Sequence, residues 1–177
     1  QLYRHEEKFF RPTAVAVRIS DALDESEVWQ RAEAIAGLSF ERVGTRINTN
    51  LVAIDNESQD AAKFAAAAKA AAEKSGLALV LMSAKADSLK QAAGAVSGQR
   101  PLLYVSDPAE AEAAAAVAKA EGCPVAIRAD GVDALAELAP KVIAAGAEQV
   151  VLDPGARGLK ATVEALTAVR RLSLKNF

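Results

Sequence analysis

One unit recurs six times along this chain: a short β-rich apolar run, a turn, then an alanine-rich stretch of helical character. The runs are Ala14–Ile19, Leu51–Ile54, Leu79–Met82, Leu102–Val105, Val125–Ile127 and Val150–Leu152. Strict alternation of strand and helix predicts parallel βαβ units, because parallel neighbours need a crossover of a dozen or more residues and a helix supplies it. The fold class is therefore α/β. Folds of this class carry their chemistry at the carboxyl ends of the strands, so the residues just after each run are the ones to weigh.

The runs are apolar through both phases of the strand alternation, which predicts strands covered on both faces. A closed (β/α) barrel and an open doubly wound sheet both satisfy that pattern. No Gly-x-Gly-x-x-Gly follows the first run, where Arg18-Ile19-Ser20-Asp21 stands, and no phosphate loop of the Gly-x-x-x-x-Gly-Lys type occurs. Dinucleotide and nucleotide binding are disfavoured accordingly. A closed barrel takes about eight units, so a barrel here shows about six of them. The organisation read from the chain is an N-terminal arm over residues 1–12, then a barrel domain over residues 13–177 that is expected to be incomplete.

Helix boundaries follow from local chemistry. Asp21 or Asp24 can cap a helix reaching Ala36, with Glu25 and Glu27 favourable in its first turn and Gly37 as its stop. A second helix is expected over Ser58–Ser75 before Gly76. A third is expected over Ala109–Glu121, with Ser106 or Asp107 as cap, Pro108 at its first position and Gly122 as stop. Pro140 falls inside the helical stretch Val132–Ala145, where it removes a hydrogen bond and crowds the Ala136 carbonyl, so a kink or restart is expected. Ser39–Asn50 has no regular pattern that selects a conformation.

Composition removes several classes of function. The net charge of −2 offers no basic field for nucleic acid. Apolar stretches are broken by charges well short of the roughly 18 residues a membrane-spanning helix needs, and no signal-peptide pattern opens the sequence, which reads as cytoplasmic. The single cysteine, Cys123, excludes an internal disulfide or an all-cysteine cluster within these residues, and the single histidine, His5, sits in a polar arm. No metal site is expected within this segment.

The candidate site residues are those that follow the strands: Asp55 and Asn56, Arg128 and Asp130, and Asp153 with Gly155. A strand-end acid can hold a polar ring edge, but the same acid more often caps the next helix or ties a loop. Asp153-Pro154-Gly155 is the most shaped of these, with Pro and Gly setting a turn directly after a strand. Arg128 has a ready partner in Asp130.

Several fragments carry a family resemblance through their shared order. They are Tyr3-Arg4-His5-Glu6 with Phe9-Phe10, Leu38-Ser39-Phe40-Glu41-Arg42-Val43-Gly44, Leu79–Ser83, Arg100–Tyr104 and Val151–Gly155. Together the sequence resembles the large (gamma) subunit of the corrinoid iron–sulfur protein of the carbon monoxide dehydrogenase/acetyl-CoA synthase system. The resemblance implies a TIM-type barrel, flanked in the family by a domain with a four-iron four-sulfur cluster and by a corrinoid (cobalamin-type) domain, both outside this segment. It implies a role in methyl transfer during carbon fixation, from a methyl-pterin methyltransferase to acetyl-CoA synthase, in a heterodimer with the small subunit. On that reading the segment is a scaffold with no catalytic residue of its own. The competing reading is an autonomous pterin-dependent methyltransferase, or another barrel enzyme, that uses the strand-end acids.

Overall fold

A computed structural model of the chain describes residues 13–175; the arm over residues 1–12, with its Tyr3, His5, Phe9 and Phe10, lies outside them. Six strands form one parallel sheet in chain order: β1 (Ala16–Ser20), β4 (Leu51–Asp55), β5 (Ala78–Ser83), β6 (Leu102–Val105), β7 (Val125–Arg128) and β8 (Val150–Asp153). Each expected run is one of these strands. The intervening helices are α1 (Glu25–Ala36), α2 (Ala61–Ser75), α3 (Ala86–Ala95), α4 (Ala111–Glu121) and α5 (Val132–Ala144), and α6 (Leu159–Lys175) follows β8. The remaining strands, β2 (Ser39–Arg42) and β3 (Thr45–Asn48), pair antiparallel with each other and, among the described residues, with no other strand.

Monotonic strand order decides between the two α/β architectures. A doubly wound sheet reverses its order at a switch point, and this one does not. Because crossovers share one hand, unreversed order places every helix on the same face. The helices pack accordingly, each against its sequence neighbours from α1 to α6. Ile19, Val52, Ile54, Leu79, Leu81, Leu103, Val105, Val125 and Ile127 meet that helical layer and form the core with it.

The opposite face carries Arg18, Ala53, Val80 and Leu102 in one row and Ser20, Asp55, Met82, Tyr104, Ala126 and Val151 in the next, by strand register. Ala53, Val80 and Ala126 are only 5%, 7% and 2% exposed, although the helices lie on the other side. A flat sheet would leave them open, whereas a curled one folds its own neighbours over them. The architecture is that of part of a TIM-type barrel. Among the described residues it is not closed: β1 and β8 each pair on one side only.

Alanine makes the helical layer thin enough to follow this curl. Ala67, Ala68, Ala70, Ala71 and Ala72 of α2 and Ala86, Ala92 and Ala93 of α3 are buried, and the two helices pack on each other and on the sheet. Their small side chains bring helix axes close while retaining the best helix propensity. Phe64 is the large exception, fully buried in α2.

Local signals are used selectively. Asp24 caps α1, accepting the Glu27 N–H at 2.8 Å. Asp21 does not cap. It is 2% exposed and accepts the Ser58 N–H at 2.8 Å and the Ser58 hydroxyl at 2.7 Å, fastening the β4–α2 loop to the end of β1. The helix expected from Ser58 begins at Ala61, capped by Asp60. The one expected from Ala109 opens instead as a single 3₁₀ turn, Pro108–Glu110, under Asp107. Helix α5 runs through Pro140 without a restart. Neither Pro140 nor Ala136 is buried, so water can satisfy the carbonyl that loses its donor.

The stretch with no legible pattern is the β2–β3 hairpin. Its tip, Val43-Gly44, has positive φ at both residues (49° and 74°), as a two-residue I′ turn requires. A β-branched residue is disfavoured there. No helix among the described residues is long and apolar enough to cross a membrane.

Two outcomes are expected. Phe64→Ala should lower unfolding free energy by about 3–5 kcal/mol, read by urea denaturation, because it empties a closed site in the helical layer. Val43→Asn should slow amide exchange of the hairpin relative to the parent, by relieving roughly 1 kcal/mol of backbone strain.

Candidate functional site

At the carboxyl ends of β6, β7 and β8 the inner face carries a compact polar group. Tyr104 reaches from β6 across β7 to β8, where its hydroxyl donates to Asp153 Oδ2 at 2.7 Å. The strand between presents Ala126 at the matching register, and so small a side chain leaves the phenol room to cross. Asp153 also accepts the Gly155 N–H at 2.9 Å and two contacts from Arg157, at 3.3 and 3.2 Å. Both carboxylate oxygens are thereby occupied.

The electrostatics follow from these contacts. Partial burial alone would raise the Asp153 pKa; hydrogen bonds from Arg157, Tyr104 and the Gly155 N–H outweigh it and hold the carboxyl below its ordinary range. Burial, reinforced by the hydrogen bond to Asp153 and by its charge, pushes the Tyr104 phenol up to about 12, against Arg128 and Arg157. Asp153 is therefore a carboxylate anchored by its neighbours, the opposite of a general acid tuned toward neutrality.

Gly155 is required by this turn. Its φ is +69°, and a Cβ there would stand 3.0 Å from the Ala129 carbonyl oxygen and 3.2 Å from Asp130 Oδ1. Arg128 and Asp130 lie beside it, but their expected pair is loose, at 3.8 Å, with the Asp130 side chain 96% exposed.

Asp55 and Asn56 lie apart from this group, with β5, β6 and β7 between β4 and β8. Asp55 Oδ2 accepts Arg18 Nη1 at 2.8 Å, and Glu57 stands 3.5 Å from the same guanidinium nitrogen. The Ser20 hydroxyl donates to Glu57. Asn56 turns instead to β5, its Nδ2 donating to Ser83 Oγ at 3.0 Å and its backbone N–H to the Met82 carbonyl at 2.9 Å. Its Oδ1 is buried with no partner. The six candidates thus form two clusters: Arg128, Asp130, Asp153 and Gly155 in one, Asp55 and Asn56 in the other.

Sequence reasoning missed Tyr104, Arg157, Arg18 and Glu57. Tyr104 carried a usable signal, a phenol at an inner-face position of an otherwise aliphatic strand, which needs a polar partner when half-buried. Arg157 carried none, because the loop after Gly155 decides where it points.

Cys123 is half-buried near the amino end of β7, with its Sγ 3.6 Å from the Glu121 carbonyl oxygen and its thiol pushed up by burial. No group of three or more His, Cys, Asp or Glu among the described residues is arranged to hold a metal ion.

Fold and site together define a class: a partial (β/α) barrel whose strand-end ionic groups are largely paired with one another. The chain belongs to the CO dehydrogenase/acetyl-CoA synthase delta subunit family, whose model matches residues 1–177. It is 41% identical over 175 residues to the corrinoid/iron-sulfur protein large subunit of Moorella thermoacetica, covering 99% of this chain and 39% of that protein. It is 31% identical over 179 residues to the acetyl-CoA decarbonylase/synthase complex subunit gamma of Methanothermobacter thermautotrophicus, with coverages of 99% and 39%. A third relative, the gamma subunit of Methanosarcina acetivorans, is 34% identical over 178 residues, with coverages of 98% and 38%. The chain spans about two fifths of the length of these curated relatives. The family description names a delta subunit, while these relatives are large or gamma subunits.

The Tyr104–Asp153 contact has a pH signature. The raised phenol pKa contributes stability that is complete below the unfolded value of about 10 and is lost as pH rises through about 12. The lowered Asp153 pKa contributes stability present above the ordinary carboxyl range and lost as pH falls through the folded value. In a Tyr3→Phe background, the phenolate absorbance of Tyr104 should titrate above the ordinary tyrosine range, and Asp153→Asn should bring it part of the way back. Titration at the ordinary value in both proteins would contradict the contact.

Proposed function

We propose that this chain is the barrel region of the large subunit of a corrinoid iron–sulfur methyl carrier, acting as a scaffold in methyl transfer from a methyl-pterin methyltransferase to acetyl-CoA synthase. One observation carries the scaffold reading: the strand-end carboxylates Asp55 and Asp153 are committed to Arg18 and to Arg157 with Tyr104. Asp153, held ionised by several donors, is poorly suited to exchange protons with a substrate at neutral pH, and Asp55 is occupied by Arg18. The family relationship supplies the rest, through relatives whose names place them in the acetyl-CoA decarbonylase/synthase complex and describe one as a corrinoid/iron-sulfur protein.

The residues present do not fit an iron–sulfur cluster. Such a cluster takes about four thiolates, and this chain has Cys123 alone, with its thiol pKa raised. On this reading the cluster and the corrinoid belong to other parts of the full-length subunit. The cofactor supplies the methyl chemistry there, and the barrel supplies placement and contact with the small subunit, the methyltransferase and acetyl-CoA synthase.

The methyltransferase alternative rests on Asp130, the mouth acid whose side chain is 96% exposed. Substitution in the full-length subunit separates the two readings. Asp55→Asn and Asp130→Asn should each leave methyl transfer within about twofold of the parent, whereas loss of a general acid or base costs about a hundredfold or more. A loss of that size with folding intact would overturn the scaffold reading. The 177-residue chain, reconstituted with iron, sulfide and a cobalamin, should retain neither chromophore stoichiometrically in its visible absorption.

A further inference from the structure

One cation at the mouth is left without a hydrogen bond. Arg128 closes β7, and its register partner on β8 is Asp153. Opposite charges on neighbouring strands attract when they share a face. These two do not pair, because Tyr104, the Gly155 N–H and Arg157 already occupy both Asp153 oxygens. Among the described residues Arg128 donates no hydrogen bond, and its one ionic neighbour is Asp130, 3.8 Å away on a side chain that is 96% exposed. A solvated pair of that length contributes little. The Arg128 side chain is itself 39% exposed, so much of it is covered by protein while the donors of its guanidinium go unused.

The surroundings select what those donors can hold. The β5–β6 pairing continues past Val105, since the Ser106 N–H donates to the Ser83 carbonyl at 3.1 Å, and one further step of the β6–β7 register sets Ser106 beside Arg128. The Ser106 hydroxyl makes no hydrogen bond among the described residues. On the other side the turn is bare: a Cβ at position 155 would stand 3.6 Å from Arg128 Nε, and glycine supplies none. One row down, the same face carries Tyr104 and Val151, the latter 50% exposed. A cationic fork and a hydroxyl above an apolar floor suit an organic anion. Charge decides which kind. Arg128 and Arg157 are balanced by Asp130 and Asp153, so a doubly charged phosphate would meet two carboxylates already in place. A carboxylate adds a single charge and matches the planar guanidinium with two parallel hydrogen bonds.

We propose that Arg128, with Ser106 beside it, binds the carboxylate of a small organic acid whose apolar body lies on Tyr104 and Val151. The site binds and does no chemistry, so it adds to the scaffold reading and stands without it. Equilibrium dialysis of radiolabelled butyrate against the 177-residue chain measures it. One charged contact with a small apolar area gives a dissociation constant of about 1–10 mM. Arg128→Gln should weaken butyrate binding by about tenfold, and Ser106→Ala by about threefold, through the hydrogen bonds each removes. Asp130→Asn removes the competing carboxylate and should tighten binding by about threefold. Acetate, which lacks the apolar body, should bind about threefold more weakly than butyrate. Fluorescence of Trp29, the sole tryptophan, on α1, reports that each variant remains folded. Equal binding by the parent and folded Arg128→Gln would overturn the proposal, as would an absence of saturable binding by the parent. Weaker binding in Asp130→Asn would overturn it as well, and that variant carries the test should Arg128→Gln fail to fold. Displacement of the label by inorganic phosphate as effectively as by unlabelled butyrate would also overturn it, and would assign the site to inorganic anions.

Discussion

Parallel backbone pairing between consecutive strands is the constraint from which this structure follows. Once β1, β4, β5, β6, β7 and β8 hydrogen-bond in chain order, the shared hand of the crossovers sends every helix to one side. The opposite face must then bury itself. It does so by curling over Ala53, Val80 and Ala126, and by placing Arg18, Asp55, Tyr104 and Asp153 where the strands end. The alanines of α2 and α3 belong to the same solution, since bulkier residues would push the helices out of the curved layer.

The polar end of that inner face is organised for internal satisfaction. Tyr104, Arg157 and the Gly155 N–H all converge on one carboxylate. Arg18 holds Asp55 and approaches Glu57 at the other side of the sheet. Partial burial of Tyr104, Asp153 and Asp55 raises the cost of leaving these three unpaired, and the exposed Arg18 and Arg157 reach in to pair the two carboxylates. A mouth built in this way holds the strand ends in place. A side chain at position 155 would be strained in the β8 turn, where φ is +69° and the Ala129 carbonyl oxygen stands 3.0 Å from the place of its Cβ.

Legibility in the sequence divides along the range of the interaction. The six strands are visible because apolar runs record burial directly, and Asp24, Asp107, Gly76 and Gly122 because caps and stops act within a few residues. Long-range pairing is not visible. Asp21 has the look of a cap and is a buried tie to Ser58, 37 residues away. Asp153 has the look of a free strand-end acid, yet Tyr104, 49 residues earlier, reaches it. Pro140 resembles a break because propensity ignores solvent, which satisfies an accessible carbonyl. The β2–β3 hairpin is hidden for a different reason. Its I′ turn uses Val-Gly where Asn-Gly is the recognisable signal, so the strain that marks the turn in space is absent from any pattern of letters.

The surfaces left over bear on how such a scaffold would make contacts. At the mouth, most ionic groups are already paired. At the flank the situation is reversed: Val151 on β8 and Leu159, Val163 and Leu166 on α6 are 50%, 84%, 56% and 49% exposed, and the outer edge of β8 has no strand partner among the described residues. Apolar side chains beside an open strand edge favour association far more strongly than an array of satisfied ion pairs does. The exposed apolar surface of the described residues is therefore concentrated on the flank of the sheet and on the hairpin. The strand-end ionic groups are by contrast largely paired with one another, which leaves the curl of the sheet fastened at that end.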